Sequence, residues 1–154
     1  MITAILPDNR YSIRARGFLV SIFLPGRPKN LTLGRDITLL GIDKLNISDN
    51  VYLAKGVWIN ALGTVNIGSK VILSPYVVVA SAVHGFSGKD FLAPSKFDEI
   101  TIKSGVWVAS HSTITSGVTI NTGSLVSANS TVVKSVPEFT MVSGVPAVFI
   151  RSLV

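Results

Sequence analysis

The chain has no cysteine in its 154 residues, which excludes disulfide staples and thiol nucleophiles alike. Histidine is almost as scarce. His84 and His111 are the only two, too few for a three-histidine zinc site, so no metal is expected. Charged residues make up 14% and aromatics 8%, unlike the Leu-, Glu- and Lys-rich composition of a helical enzyme of this size. A spanning helix needs roughly 20 apolar residues, and the run GFLVSIFLP at 17–25 is far shorter. The opening MITAILPDNR lacks the basic start and continuous apolar core of a secretory signal, so a cytoplasmic location is expected.

What is present is apolar and β-branched. Hydrophobic residues reach 47%, mostly Val and Ile, with Gly, Ser, Thr and Asn between them, a composition that favours strands. The length suits one domain. The formal charge is +6, and Arg10, Arg14, Arg16, Arg27 and Lys29 crowd the N-terminal segment. Such a segment is either a solvated basic face or a place for phosphates, an anionic glycan or peripheral contact with a membrane. No helix-turn-helix, zinc-finger or RNP-like pattern accompanies it, so nucleic acid is not an expected partner.

The dominant signal is a repeat of six. Ile102, Val108, Ile114, Ile120, Val126 and Val132 follow one another at that spacing. Four residues after each comes a small or β-branched residue: Val106, Ser112, Val118, Ser124, Ser130 and Val136. Upstream, Ile47, Leu53 and Ile59 keep the period, slip by two, and resume at Ile67, Leu73 and Val79; Leu33 and Leu39 precede another slip of two. Helices repeat every 3.6 residues and strands every two, so neither alone explains period six. A six-residue unit that makes one flat face and one corner does explain it. Three units close an 18-residue triangular coil, and coils stack at roughly 4.8 Å with the marker aliphatics in columns inside. This predicts an all-β solenoid, a parallel β-helix of hexapeptide repeats.

The expected organisation is an irregular N-terminal cap over 1–32 (or a capping strand), a β-helix over 33–137, and a short C-terminal cap or return segment over 138–154. From Val79 to Ile102 the phase is lost for 23 residues, 17 more than one repeat. SAVHGFSGKDFLAPSKFDE must therefore leave the prism as one long excursion loop, about 80–101. Long loops on rigid scaffolds are where chemistry concentrates.

The stretch ITIKSGVWVASHSTITSGVTINTGSLVSANSTVVKSVP (100–137), followed by VSGVPAVFIR, resembles the hexapeptide-repeat acyltransferases. Within that family it is most similar to the sugar and surface-polysaccharide O-acetyltransferases, and the likeness covers roughly residues 47–151. The resemblance implies a left-handed parallel β-helix, acetyl-CoA as co-substrate, a sugar or glycan acceptor, and a homotrimer with sites between adjacent prisms. It also implies roles. His84 matches the general base that takes the acceptor hydroxyl's proton; imidazole can do this near neutral pH. Asn60 matches a residue that positions the acceptor. Ser110 matches the residue whose N–H stabilises the oxyanion, Trp107 walls the CoA groove, and Ala128, Lys134 and Arg151 match positions along the CoA arm and its phosphates. The chain departs from the family pattern at Ala109 and Ser127, where Gly is usual, and at Val148, where a basic residue is common.

Some readings remain open. Asn60 also fits a corner residue satisfying turn backbone, and His111 fits an outward surface position. Asp90, Asp98 and Glu99 lie near His84 in sequence, with no spacing argument to choose between them. An amino-sugar N-acetyltransferase would need the same base, and a non-enzymatic binding or assembly module would need only the prism.

Overall fold

In the computed structural model, which describes residues 7–154, the marker aliphatics point inward from strands of two to three residues. The first coil holds β1 (Thr32–Leu33), β2 (Thr38–Leu40) and β3 (Leu45–Ile47), and the second β4 (Tyr52–Leu53), β5 (Trp58–Asn60) and β6 (Val65–Ile67). The third has β7 (Ile72–Leu73) and β8 (Val78–Ala80), then a hairpin of β9 (Ala82–Gly85) and β10 (Ala93–Phe97), then β11 (Ile100–Ile102). Coil four is β12 (Trp107–Val108), β13 (Thr113–Thr115) and β14 (Thr119–Ile120). Coil five carries β15 (Leu125–Val126) and β16 (Thr131–Val132), and β17 (Thr140–Gly144) opens a sixth, on which β18 (Ala147–Ser152) folds back antiparallel.

Strands of equal place pair in parallel and form three sheets. β1, β4, β7, β12, β15 and β17 make the first, β2, β5, β8, β13 and β16 the second, and β3, β6, β11 and β14 the third. The register stacks like on like. Leu33, Leu53, Leu73, Val108, Val126 and Val142 form one column, and Ile47, Ile67, Ile102 and Ile120 form another, extended by a bridge to Val136. These side chains are buried; β-branched groups, stiff at χ1, suit such stacking. Where the inward column turns polar, it satisfies itself: Ser112 Oγ donates to the Ser127 carbonyl at 2.8 Å and Ser124 Oγ to that of Pro137 at 2.6 Å.

Corners are held by residues with positive φ. Asp36, Gly56, Tyr76, His111 and Asn129 turn the chain from the first sheet to the second in successive coils. Each N–H after the first donates to the coil before it, as from Asn129 to the Ser110 carbonyl at 3.0 Å. The three corners differ sharply in tolerance. From first to second sheet and from third to first, markers are always six apart. Every irregularity falls between the second and third sheets: Leu39 to Ile47 and Ile59 to Ile67 exceed six by two residues, Val132 to Val136 falls short of it by two, and the hairpin emerges from the same corner of coil three.

The N-terminal segment corrects an expectation. Instead of an irregular cap or a strand, Arg10–Ser21 forms α1, a helix of 12 residues; residues 1–6, the start of that expected cap, lie outside the described residues. Asn9 caps it, its Oδ1 accepting from the N–H groups of Tyr11 and Ser12 at 2.9 Å. Gly17 lets the helix lie against the first coil, since a Cβ there would meet the Leu31 carbonyl oxygen at 1.8 Å. Arg16, 6% exposed, donates from Nε to the Leu33 carbonyl at 3.0 Å and pairs with Asp8. The helix was hidden because its inward side is Ser12, Arg16, Gly17 and Ser21, with no apolar stripe facing the core.

Candidate active site

The hairpin is rooted, not draped. Ser81, fully buried, precedes β9, and its Oγ donates to the Asn60 carbonyl at 2.7 Å while accepting from the Gly63 N–H at 2.9 Å. Its own carbonyl accepts from Asp98 N at 3.1 Å and Ser116 Oγ at 3.2 Å. Coils two, three and four are thus tied together at the point of exit. Gly63 is required for the fit: a Cβ there would stand 2.4 Å from the Ser81 oxygen and 2.9 Å from Asp98 N. Sequence reading missed Ser81, Gly63 and Ser116. The available signal was position: Ser81 follows Val79 by two, as Ala61 follows Ile59 and Ser116 follows Ile114, and the chain leaves the prism just after it.

His84 sits on β9, three residues beyond Ser81, and is exposed. Among the described residues its imidazole has no hydrogen-bond or ion-pair partner. The three nearby carboxylates are engaged elsewhere: Asp90 accepts from Ser87 Oγ at 2.7 Å, Asp98 from Ser116 Oγ at 3.3 Å and Glu99 from Thr101 Oγ1 at 3.0 Å. Asn60 ends β5 beside Ala80, at the same corner as the hairpin root. Its Oδ1 accepts from the Leu62 N–H at 3.0 Å, so the corner role exists, and Nδ2 remains for another partner.

Ser110 and Ala128 occupy the opposite edge of the second sheet, at the corner where the first sheet enters it, one coil above the other. The Ser110 N–H has no acceptor within the described chain. Its counterpart in coil one, the Arg35 N–H, donates to a carboxylate oxygen of Asp8 at 3.3 Å. This type of corner N–H therefore can hold a negatively charged oxygen. Trp107 stands outward on the first sheet, 48% exposed, and its Nε1 donates to Ser74 Oγ at 2.9 Å. Lys134 follows β16 and Arg151 lies on β18, so these two cations belong to different sheets; both are exposed. Ser127, at a Gly position of the family pattern, buries a hydroxyl that has no partner among the described residues. His111 is an exposed corner residue whose ring stacks on Tyr76, centroids 5.0 Å apart.

One chain thus brings Asn60 and the hairpin of His84 to one edge of the second sheet and Ser110 with Ala128 to the other. Three residues of strand, about 10 Å, separate the edges.

Replacing Ser81 with Ala leaves the Gly63 N–H without its acceptor and takes one of two donors from the Asn60 carbonyl, which keeps the Ser81 N–H at 3.1 Å. The expected cost is about 1–3 kcal/mol in stability, read by urea unfolding, with faster amide exchange over 82–97. If exchange there is unchanged, Ser81 does not hold the hairpin.

No family model matches the chain. It is 31% identical over 135 residues to the lipopolysaccharide biosynthesis O-acetyl transferase WbbJ of Escherichia coli (strain K12), covering 80% of this chain and 69% of that one. It is 32% identical over 115 residues to the galactoside O-acetyltransferase of the same organism, covering 71% of this chain and 54% of that one. Among solved structures, a hexapeptide-repeat containing acetyltransferase from Vibrio cholerae superposes with a TM-score of 0.87 at 25% identity, over 99% of this chain and 85% of the other. With the six-residue columns, the hairpin at one corner and these relatives, the chain belongs to the hexapeptide-repeat acyltransferase family, as an acetyltransferase.

Proposed function

We propose that the chain transfers the acetyl group of acetyl-CoA to a hydroxyl of a sugar or glycan, in a site shared between copies of a homotrimer. The observation that carries this reading is His84, an exposed imidazole without a partner among the described residues, on a hairpin whose root is tied into three coils. The Vibrio cholerae acetyltransferase is also known as a complex with acetyl coenzyme A, which supports the donor. WbbJ and the galactoside enzyme are named as O-acetyltransferases, which supports a hydroxyl acceptor.

In this reading His84 takes the hydroxyl proton as the acceptor oxygen attacks the thioester carbonyl. The carbonyl oxygen becomes an oxyanion, held by the Ser110 N–H; such a donor contributes on the order of 3 kcal/mol. Collapse breaks the carbon–sulfur bond, and the leaving thiolate takes the proton back from His84. No acyl-enzyme forms. Asn60 orients the acceptor through Nδ2. Because Ser110 and His84 lie on opposite edges of one sheet, the Ser110 of one copy would serve the His84 of its neighbour, which is what a threefold arrangement of flat-sided prisms allows.

Trp107 and Ala128 would flank the CoA arm, and Lys134 and Arg151 would meet its phosphates. Acetyl-CoA-dependent thiol release, screened against nucleotide sugars, oligosaccharides and amino sugars, tests the activity. Turnover with amino acceptors alone would replace the hydroxyl reading with amide formation, and a stable monomer at micromolar concentration would remove the shared site. Substituting Ala for both Lys134 and Arg151 raises KM for acetyl-CoA far more than it lowers kcat; an unchanged KM would show that the phosphates bind elsewhere.

A further inference from the structure

Helix α1 turns its apolar side to solvent. Tyr11, Ala15, Phe18 and Ile22 follow at i, i+4, i+7 and i+11, one stripe along the helix. Tyr11 is 73% exposed, Phe18 68% and Ile22 47%, and Phe23 beyond the helix is 73% exposed. The side against the first coil carries Ser12, Arg16, Gly17 and Ser21. A helix that served only to cap the solenoid would place these two sides the other way round. Contiguous exposed apolar surface of this kind marks an interaction site.

Cations border the stripe. Arg14, Arg27 and Lys29 line a groove of about 690 Å³ together with Phe18 and Ile22, and Arg10 lies one turn further along the helix. Among the described residues none of these four is in an ion pair, and Asp8, the one acid between residues 7 and 30, is taken by Arg16 and Arg35. The surface is therefore apolar in the middle and positive at its border. A second copy meeting it face to face would oppose positive charge with positive charge. An apolar phase edged with phosphates would complement both parts.

We propose that α1 is an interfacial helix that docks on a bilayer containing anionic phospholipid. Phe18, Ile22 and Phe23 enter the acyl boundary, and Arg14, Arg27 and Lys29 meet headgroup phosphates. Since α1 covers the first coil, the later coils rise away from the bilayer by roughly 4.8 Å each. The inference is independent of the acetyl-transfer reading.

Co-sedimentation of the full chain with vesicles tests it, comparing phosphatidylcholine alone with phosphatidylcholine plus phosphatidylglycerol, at low and high salt. The chain is expected to pellet with the anionic vesicles at low salt and to be released by salt. Phe18→Ser with Ile22→Ser lowers the partition coefficient at least tenfold, and Arg27→Gln with Lys29→Gln lowers it about fivefold for each charge. Circular dichroism of both variants stays unchanged, because all four side chains are surface groups. Failure to bind anionic vesicles, or binding that neither pair of substitutions weakens, overturns the proposal. So does a fall in assembly mass for the Phe18→Ser, Ile22→Ser variant, which would make the stripe a contact between copies.

Discussion

Replacing His84 with Ala lowers kcat for acetyl transfer by about 10²–10⁴-fold, the range that a positioned general base supplies. Nothing else should move much. The imidazole is exposed and outside the packed columns, so unfolding and acetyl-CoA affinity are expected to match the parent chain. The paired measurement is His111→Ala. That ring stacks on Tyr76 at a corner of the solenoid, and its removal is expected to change kcat by less than about threefold. Normal turnover in the His84 variant with loss in the His111 variant would reverse the assignment. Full activity in both would leave the chain with no histidine base at all, since it has no third.

The largest effect on stability is expected at Ile102, where the chain re-enters the prism after the hairpin. Its side chain is fully buried between Ile67 and Ile120 in a column with no polar interruption. Ile102→Ala removes methyl groups from a site whose neighbours are fixed by backbone pairing above and below, so the cavity cannot collapse. The expected loss is about 2–5 kcal/mol. For a chain of this length that corresponds to a fall in Tm of roughly 4–20 °C, measured by thermal scan alongside urea unfolding. A loss below about 1 kcal/mol would mean that the column is loosely packed at the re-entry point.

The core was legible because inward positions in a stacked solenoid must repeat, and the six-residue spacing of Ile102 through Val132 reports that directly. The exit of the hairpin was legible as lost phase. Helix α1 was not, because periodicity reveals a helix through the apolar face it buries, and this one buries Ser12, Arg16, Gly17 and Ser21. The candidate site residues came one by one from resemblance, and their division between two corners was not drawn from the sequence. Counting by coil separates the positions: Asn60 and His84 follow second-sheet markers, whereas Ser110 and Ala128 follow first-sheet markers, so they fall at different corners. Ser81 escaped for another reason. Its importance lies in hydrogen bonds to Asn60 and Gly63 across coils, contacts between residues about 20 apart in sequence that no local pattern announces.

Confining all changes of length to one corner has a consequence for how the chain folds. Elsewhere, strands of neighbouring coils pair across 16 to 20 residues; across the hairpin they pair across 35, as in Ile67 with Ile102 and Leu73 with Val108. Closure entropy grows only with the logarithm of loop length, so going from 18 to 35 costs about 0.6 kcal/mol. The pairing beyond the hairpin is undiminished, with β6–β11, β7–β12 and β8–β13 each in full register. Assembly can therefore zip from coil to coil straight past the excursion, without a pause at it. A further dozen residues at that corner would add only a few tenths of a kcal/mol. The prism leaves the length of the hairpin, and with it the surroundings of His84, almost free to vary.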